Sequence, residues 1–290
     1  MIAVCLAVHR PDPARLARQL ASLHEQRDAE WTLVREDDEP GSGAWRAFER
    51  CYARVGDAAE LVAPCDQDDV WHPSKLATLS AALSAGATLA FCDLRIVDAS
   101  GSVLSPTYWT DRVATWDDLG AELQTNVVTG AACLVRREVL DVALPFPAEL
   151  AGSFHDHWLA VCALALGELT YVDRPLVDYV QHDANVVGWS PMRGRGEPSS
   201  GDPRGVRAAR DRERHLERPR LWARTLLERV PEIEPRKRRA LERAARAGLP
   251  WLAAGALREQ LRPRRTLEAR RRALRGALWG RGSAARSPDR

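Results

Sequence analysis

Three carboxylates fall within four residues at Asp66-Gln67-Asp68-Asp69, directly after the short apolar run Leu61 to Cys65. In open α/β sheets ligands bind beyond the carboxyl ends of the strands, so acids at this point stand where a site belongs. Like charges this close repel one another. A hard divalent ion such as Mg²⁺ or Mn²⁺ would neutralise them and could bridge to the diphosphate of a nucleotide. A solvated acidic turn capping the next helix is the plainer alternative. The second cluster, His155-Asp156-His157-Trp158, sets an acid between two imidazoles at the start of an apolar helix. An aspartate there is either a first-turn charge favoured by the helix dipole or a general base for an incoming hydroxyl. Gln181-His182-Asp183-Ala184-Asn185 follows a strand and offers His182 as a metal ligand or phosphate donor, against the reading of an ordinary surface histidine. Glu36-Asp37-Asp38-Glu39 follows the second strand. Carboxylates there can accept hydrogen bonds from a base or ribose, or they form a solvated turn before Pro40-Gly41.

The elements that must hold these clusters alternate between strand-like and helix-like. Ile2 to Val8 is a β-leaning run, after which Asp12-Pro13 supplies an N-cap and a first-turn proline for a helix with Leu16, Leu20 and Leu23 at helical spacing. Trp31 to Val34 reads as a second strand, and Ser42 caps a helix whose apolar face is Trp45, Phe48, Cys51, Tyr52 and Val55. Leu61 to Cys65 is another short strand, and Pro73-Ser74 opens a third helix closed by Gly86. Thr88 to Cys92 is the next strand, and Asp98-Ala99-Ser100-Gly101 is a turn signal within Ile96 to Val103. This alternation predicts a mostly parallel sheet with helices on both faces. Further on, the pattern predicts a helix near Trp116 to Leu123, a strand Val127 to Val135, an apolar helix Asp156 to Leu166, and two short strands, Leu169 to Val172 and Leu176 to Tyr179.

A chain of 290 residues with 45% hydrophobic residues has ample material for a core, which excludes disorder as the dominant state. Its apolar stretches fall short of the roughly 20 residues that span a membrane. Ile2 to Val8 lacks the flanks of a secretion signal, so a cytoplasmic location is expected. Six cysteines without CxxC spacing read as buried thiols in a reducing compartment, not as a zinc site. The charge is divided. Residues 1–190 hold 14 Lys and Arg against 28 Asp and Glu (net −14), whereas residues 191–290 hold 28 against 12 (net +16). Residues 190–220, rich in Gly, Pro, Ser and Arg, read as a flexible linker or loop. Leu221 to Val230, Arg236 to Ala247 and Trp251 to Leu261 read as Arg-rich amphipathic helices before a frayed end. Such a tail could bind anionic lipid headgroups and hold the protein at the inner face of the membrane, or pack as a solvated extension on the acidic domain. No recognisable nucleic-acid module accompanies the basic charge, which argues against a nucleic-acid partner.

Taken in order, the four clusters resemble a family 2 glycosyltransferase of the GT-A fold, within its rhamnosyltransferase-like branch. The resemblance covers about residues 1–189. It is carried by Ile2 to His9, by Asp37-Asp38, by Asp66-Gln67-Asp68-Asp69-Val70-Trp71 with Pro73 and Lys75, by Asn126 to Gly130, by His155-Asp156-His157-Trp158, and by Tyr179-Val180-Gln181-His182 with Asn185 and Gly188. It implies a GT-A nucleotide-diphospho-sugar transferase domain over 1–189, Rossmann-like with a mixed, mostly parallel sheet. A linker over 190–220 and a basic helical extension over 221–290 would follow. It further implies a DxD-type motif with Asp68 and Asp66 on a divalent metal (Mg²⁺ or Mn²⁺), Asp66 also near the ribose and diphosphate, and His182 holding metal or diphosphate. His9 and Lys75 would contact the nucleotide sugar, Asp37 or Asp38 the nucleobase, and Asp156 would be the base of an inverting transfer. The implied reaction moves a sugar, rhamnose in this branch, from a nucleoside-diphosphate donor to a hydroxyl of a cell-surface, cell-wall or lipid-linked glycan. The chain departs from the family where Glu39-Pro40-Gly41 replaces the usual Gly-Ser after Asp38, and where Val180 replaces a common arginine. Two other readings stand beside it. A degenerate, non-catalytic transferase acting as a binding module would suit the altered Asp37 region, whereas intact Asp66, Asp68 and Asp156 oppose it. A sugar-nucleotide nucleotidyltransferase would need a glycine-rich loop where His9-Arg10-Pro11-Asp12-Pro13 stands.

Overall fold

The computed structural model describes residues 1–37, 43–83, 86–108, 117–182 and 204–248. The strands are β1 (Ile2–Val8), β2 (Trp31–Asp37), β3 (Leu61–Cys65), β4 (Val70–Trp71), β5 (Ala87–Val97), β6 (Val103–Ser105), β7 (Cys133–Arg136) and β8 (Glu168–Val180). The helices are α1 (Pro13–His24), α2 (Gly43–Ala53), α3 (Lys75–Ala82), α4 (Leu119–Glu122), α5 (Glu138–Ala143), α6 (His155–Leu166), α7 (Arg204–Arg212), α8 (Arg218–Arg229) and α9 (Pro235–Ala245).

The strands form one sheet in the order β2-β1-β3-β7-β5-β8-β4, with β6 paired to β5. β1 is parallel to β2 and β3, and β5 is parallel to β8. β7 runs against both β3 and β5, and β4 runs against β8. The result is the mixed, mostly parallel α/β sheet that the sequence pattern predicts. Alternation along β1 sends Ala3 and Cys5 to one face and Ile2, Val4, Leu6 and Val8 to the other, each into its own apolar cluster. On the second face lie Leu16, Leu20 and Leu23 of α1 with Leu76 and Leu79 of α3. The first face takes Trp45, Phe48 and Tyr52 of α2, most of α6, and residues of α8 and α9. Burial on both faces is the reason β1 reads as an uninterrupted apolar run.

Three segments differ from expectation, each for a local reason. Residues 127–135 form a 3-10 turn over Gly130–Ala132 and then the short β7, not one strand. The backbone N–H groups of Val127 and Val128 are taken by side chains, Glu122 Oε1 at 3.2 Å and Asn126 Oδ1 at 2.9 Å, so they are unavailable to a ladder. β8 is a single strand that passes through Pro175, where its register against β5 shifts around Asp93 and spares the missing donor. Residues 204–220, expected within a linker, are helical: α7, then a π-helical turn over Glu213–Glu217, then the start of α8. α8 joins the main core through Trp222, fully buried and stacked on Trp45 at 6.3 Å between centroids with an interplanar angle of 1°. Asp38, residues 190–203 and the expected helix Trp251 to Leu261 lie outside the described residues. All six cysteines are buried free thiols. Among the described residues no helix is long and apolar enough to cross a membrane.

Candidate active site

Because β1, β2 and β3 are parallel, their carboxyl ends share one edge of the sheet and bring His9, Asp37 and Asp66 to it. From β3 the chain turns through residues 66–69 into β4, which pairs with the last part of β8 (Val70 with Asp178, Trp71 with Val177). That turn is fastened at both sides. The Gln67 side chain accepts the His9 N–H at 2.8 Å and donates to the His9 carbonyl at 2.9 Å, which clamps the turn to the end of β1. On the other side Asp69 accepts the Val180 N–H at 3.2 Å, and His182 Nε2 lies 2.9 Å from Asp68 Oδ2.

Among the described residues the acids of the turn are short of positive partners. Asp66 is pushed up to about 7 by burial first, then by the charges of Asp68 and Asp156, with Lys75 opposing. Burial and the charges of Asp66 and Asp68 hold Asp69 well above the carboxylate range, and its Oδ2 is buried without a hydrogen-bond partner. The charge of Asp156 is among those that raise Asp66. The Tyr179 hydroxyl is pushed up by burial and by Asp69, Asp66 and Asp68, and the residue lines the cleft that contains Asp156.

Asp156 stands in the first turn of α6 with both oxygens engaged. Oδ1 accepts from the His157 N–H at 2.7 Å and from Asn126 Nδ2 at 3.1 Å, and Oδ2 accepts from the Gly130 N–H at 3.0 Å. Burial raises its pKa to about 6, with the hydrogen bonds pulling the other way. Gly130 must be glycine here. A Cβ on it would lie 2.7 Å from His155 Cε1 and 3.4 Å from the Asp156 Cβ. A cleft of about 270 Å³ opens beside Asp156, lined also by Asn126, Tyr108, Tyr179, Phe154 and Arg214.

The flanking histidines are structural. His155 Nδ1 is 2.9 Å from the Tyr52 hydroxyl, its ring stacks on Phe48 at 3.5 Å, and burial lowers it to about 3. His157 Nε2 meets the Glu122 carbonyl at 2.5 Å, its ring stands edge-on to Trp222, and burial with the nearby arginines lowers it far below the usual range. Both are neutral at pH 7, and their role is to fix the start of α6.

Of two further residues expected at the nucleotide, Lys75 is placed elsewhere and Asp37 is at the sheet edge but already paired. Lys75 is fully buried beneath the turn, with Nζ 3.0 Å from the Trp71 ring centroid and no hydrogen-bond partner. Burial lowers it to about 8, the neighbouring thiols and Asp69 opposing, so it supports the turn from inside and does not face the cleft. Asp37 is already engaged by Arg35, with Nη2 at 2.7 Å and Nε at 3.1 Å, though it remains 66% exposed. Sequence reasoning missed the positioning roles of Gln67, Asn126 and Gly130 and the place of Arg214 in the cleft lining. Gly130 inside an expected strand was the available signal, since such a glycine marks a close approach. Nothing in the sequence pointed to Arg214.

Among the described residues no group of three or more His, Cys, Asp and Glu could by itself hold a metal ion. The Asp68–His182 pair supplies two donors. Mg²⁺ and Mn²⁺ sites that handle nucleotides commonly take one or two carboxylates plus substrate phosphates, so a two-donor site beside under-compensated acids fits a cation that arrives with a diphosphate.

No family model matches the sequence, and no curated protein matches it either. Among solved structures, 125 chains match. S. aureus TarS 1–349 in complex with UDP-GlcNAc superposes with a TM-score of 0.54 at 15% identity, over 98% of this chain and 93% of that one. S. aureus TarS 1–349 gives 0.53 at 14% identity over the same shares, and its complex with UDP gives 0.50 at 13% identity over 100% and 94%. The likeness establishes the fold, the GT-A arrangement expected from the sequence.

Proposed function

We propose that the chain is an inverting, metal-dependent glycosyltransferase of the family 2 type, moving a sugar from a nucleoside-diphosphate donor to a hydroxyl of a glycan acceptor. The observation that carries this reading is the Asp68–His182 pair in the turn after β3, at the carboxyl edge of the sheet, together with Asp156, held by Asn126, Gly130 and His157 in the lining of a cleft. Similarity to a protein solved with UDP-GlcNAc and with UDP supports a nucleotide-sugar donor. In this reading Asp68 and His182, with Asp66 beside them, hold a divalent cation, which when bound offsets charge on the departing diphosphate. His9 and Asp37, with Asp38, take the base and ribose side.

Asp156 is the base. With a pKa near 6 it is about nine-tenths ionised at pH 7. A carboxylate oxygen has two lone pairs, and among the described residues Oδ2 accepts only the Gly130 N–H, which leaves one acceptor site for the proton of an incoming hydroxyl. Asn126, Gly130 and His157 keep the carboxylate from rotating, so the hydroxyl is activated in one orientation. Attack on the anomeric carbon from the face opposite the leaving group inverts it in one displacement. Rhamnose as the sugar, a cell-wall or lipid-linked acceptor, and recruitment to the inner membrane surface by the basic C-terminal region complete the proposal.

A panel of nucleotide sugars, dTDP-rhamnose and UDP-GlcNAc among them, assayed with Mn²⁺ or with chelator, tests it. Nucleotide release that needs both metal and acceptor is the expected result. Tight, metal-independent nucleotide binding without turnover on any acceptor would instead mark a binding module.

A further inference from the structure

The helical segment after residue 204 contributes to the cleft a cationic group that the transfer chemistry leaves without a task. Arg214 lies in the π-helical turn Glu213–Glu217 and lines the cleft with Asp156. It is exposed, and its guanidinium makes no hydrogen bond or ion pair among the described residues. Its position is built. Glu213 Oε2 accepts the Ala151 N–H at 3.1 Å, and Arg218, 2% exposed, donates to the carbonyls of Gly152 and Gln124, so the turn is tied to the cleft wall on both sides. Gly152 makes the approach possible. At φ +74° it adopts a backbone that other residues avoid, and a Cβ there would lie 3.1 Å from Arg214 Cγ and 2.9 Å from Arg218 Nη1. A π-turn re-aims the side chains around it and occurs often at functional sites. Among the described residues, two guanidinium groups and a single carboxylate, Asp156, therefore line this cleft; in the transfer reading the acids at 66–69 serve the donor end.

We propose that the Asp156 cleft takes an acceptor bearing a phosphate or carboxylate close to its reacting hydroxyl, and that the Arg214 guanidinium binds that anion. This rests on the transfer reading for the word acceptor. Without a cation on this side, an anion entering beside Asp156 and Asp66 would be repelled, and the guanidinium fork is the side chain best matched to both oxyanions. Arg218 adds a second positive charge and holds the wall.

The test is equilibrium binding to the full chain by calorimetry, using glycerol 3-phosphate against glycerol and D-glucuronate against D-glucose, with UDP and dTDP plus Mn²⁺ titrated in parallel. At least one anionic probe should bind about tenfold more tightly than its neutral counterpart, and the tighter of the two identifies the anion. Arg214→Gln should remove that advantage, Arg214→Lys should keep part of it, and nucleotide affinity should stay unchanged in both. Equal binding of anionic and neutral probes would overturn the proposal, as would anionic binding unaffected by Arg214→Gln. A loss of nucleotide affinity in Arg214→Gln as large as the loss for the probe would move Arg214 to the donor side and overturn it too. If no nucleotide binds while anion binding depends on Arg214, the transfer reading falls and the anion site stands.

Discussion

Asp156 accepts three hydrogen bonds, from Asn126, Gly130 and His157, whereas Asp66, raised by the same burial, accepts none among the described residues. Around Asp156 the chain supplies its own compensation: a helix start, two backbone N–H groups and a side-chain amide. Around Asp66 to Asp69 the described residues supply one backbone N–H, one imidazole and a buried ammonium, against three acids. A carboxylate stabilised by its own protein keeps its charge and its orientation without help, and so can act as a base. A cluster left in deficit gains most from positive charge brought by a ligand, the physical reason for assigning the metal and diphosphate to the turn and the proton transfer to α6.

The contrast is broken most severely by Asp156→Asn. Transfer should fall by about 10²- to 10⁴-fold in kcat, the usual worth of a general base, while metal-dependent nucleotide binding stays within about twofold of the parent. A binding loss of equal size would mean that Asp156 serves the donor. Next comes Gly130→Ala, whose methyl group must displace His155 and with it the start of α6. Misplacement of about 1 Å costs on the order of 10²-fold in rate, so steady-state kinetics should show a kcat defect with nucleotide affinity preserved. An unchanged kcat would remove Gly130 from the positioning role. His182→Ala acts on the other region and should weaken Mn²⁺-dependent nucleotide binding about tenfold, roughly 1.4 kcal/mol, with little effect in chelator. The smallest effect sharpens the assignment by pH. Asp156 must be ionised to act, so kcat/KM should fall below pH 6, approaching tenfold per unit, and vary little between pH 7 and 8. Asn126 holds the pKa down, so Asn126→Ala should move that limb to higher pH; a limb that stays in place would separate it from Asp156.

Much of the scaffold was legible in the sequence. β1, β3, α1 and α6 follow from apolar periodicity and caps, and the acidic turn stands out because three carboxylates follow a strand directly. Pairings between distant segments were harder to see. His155 and His157 look like chemical groups in the sequence, yet Phe48, Tyr52, Trp222 and Glu122, none of them near in sequence, turn both into packing residues. The family resemblance places Lys75 at the nucleotide sugar, yet it is internal, because α3 begins below the turn and directs it onto Trp71. The helix over 204–212 is so rich in arginine that its pattern is that of a solvated segment, and only the burial of Trp222 in α8 shows that this region completes the core.

The central claim is that the acids at 66–69 receive a cation-bound diphosphate while Asp156 stands apart for the proton. Calorimetric titration of UDP and dTDP, with and without Mn²⁺, into the parent chain, Asp68→Asn and Asp156→Asn tests it most directly. Affinity for at least one nucleotide should rise about tenfold or more with Mn²⁺, lose that gain in Asp68→Asn and keep it in Asp156→Asn. Affinity that ignores both Mn²⁺ and the change at Asp68 would contradict the account.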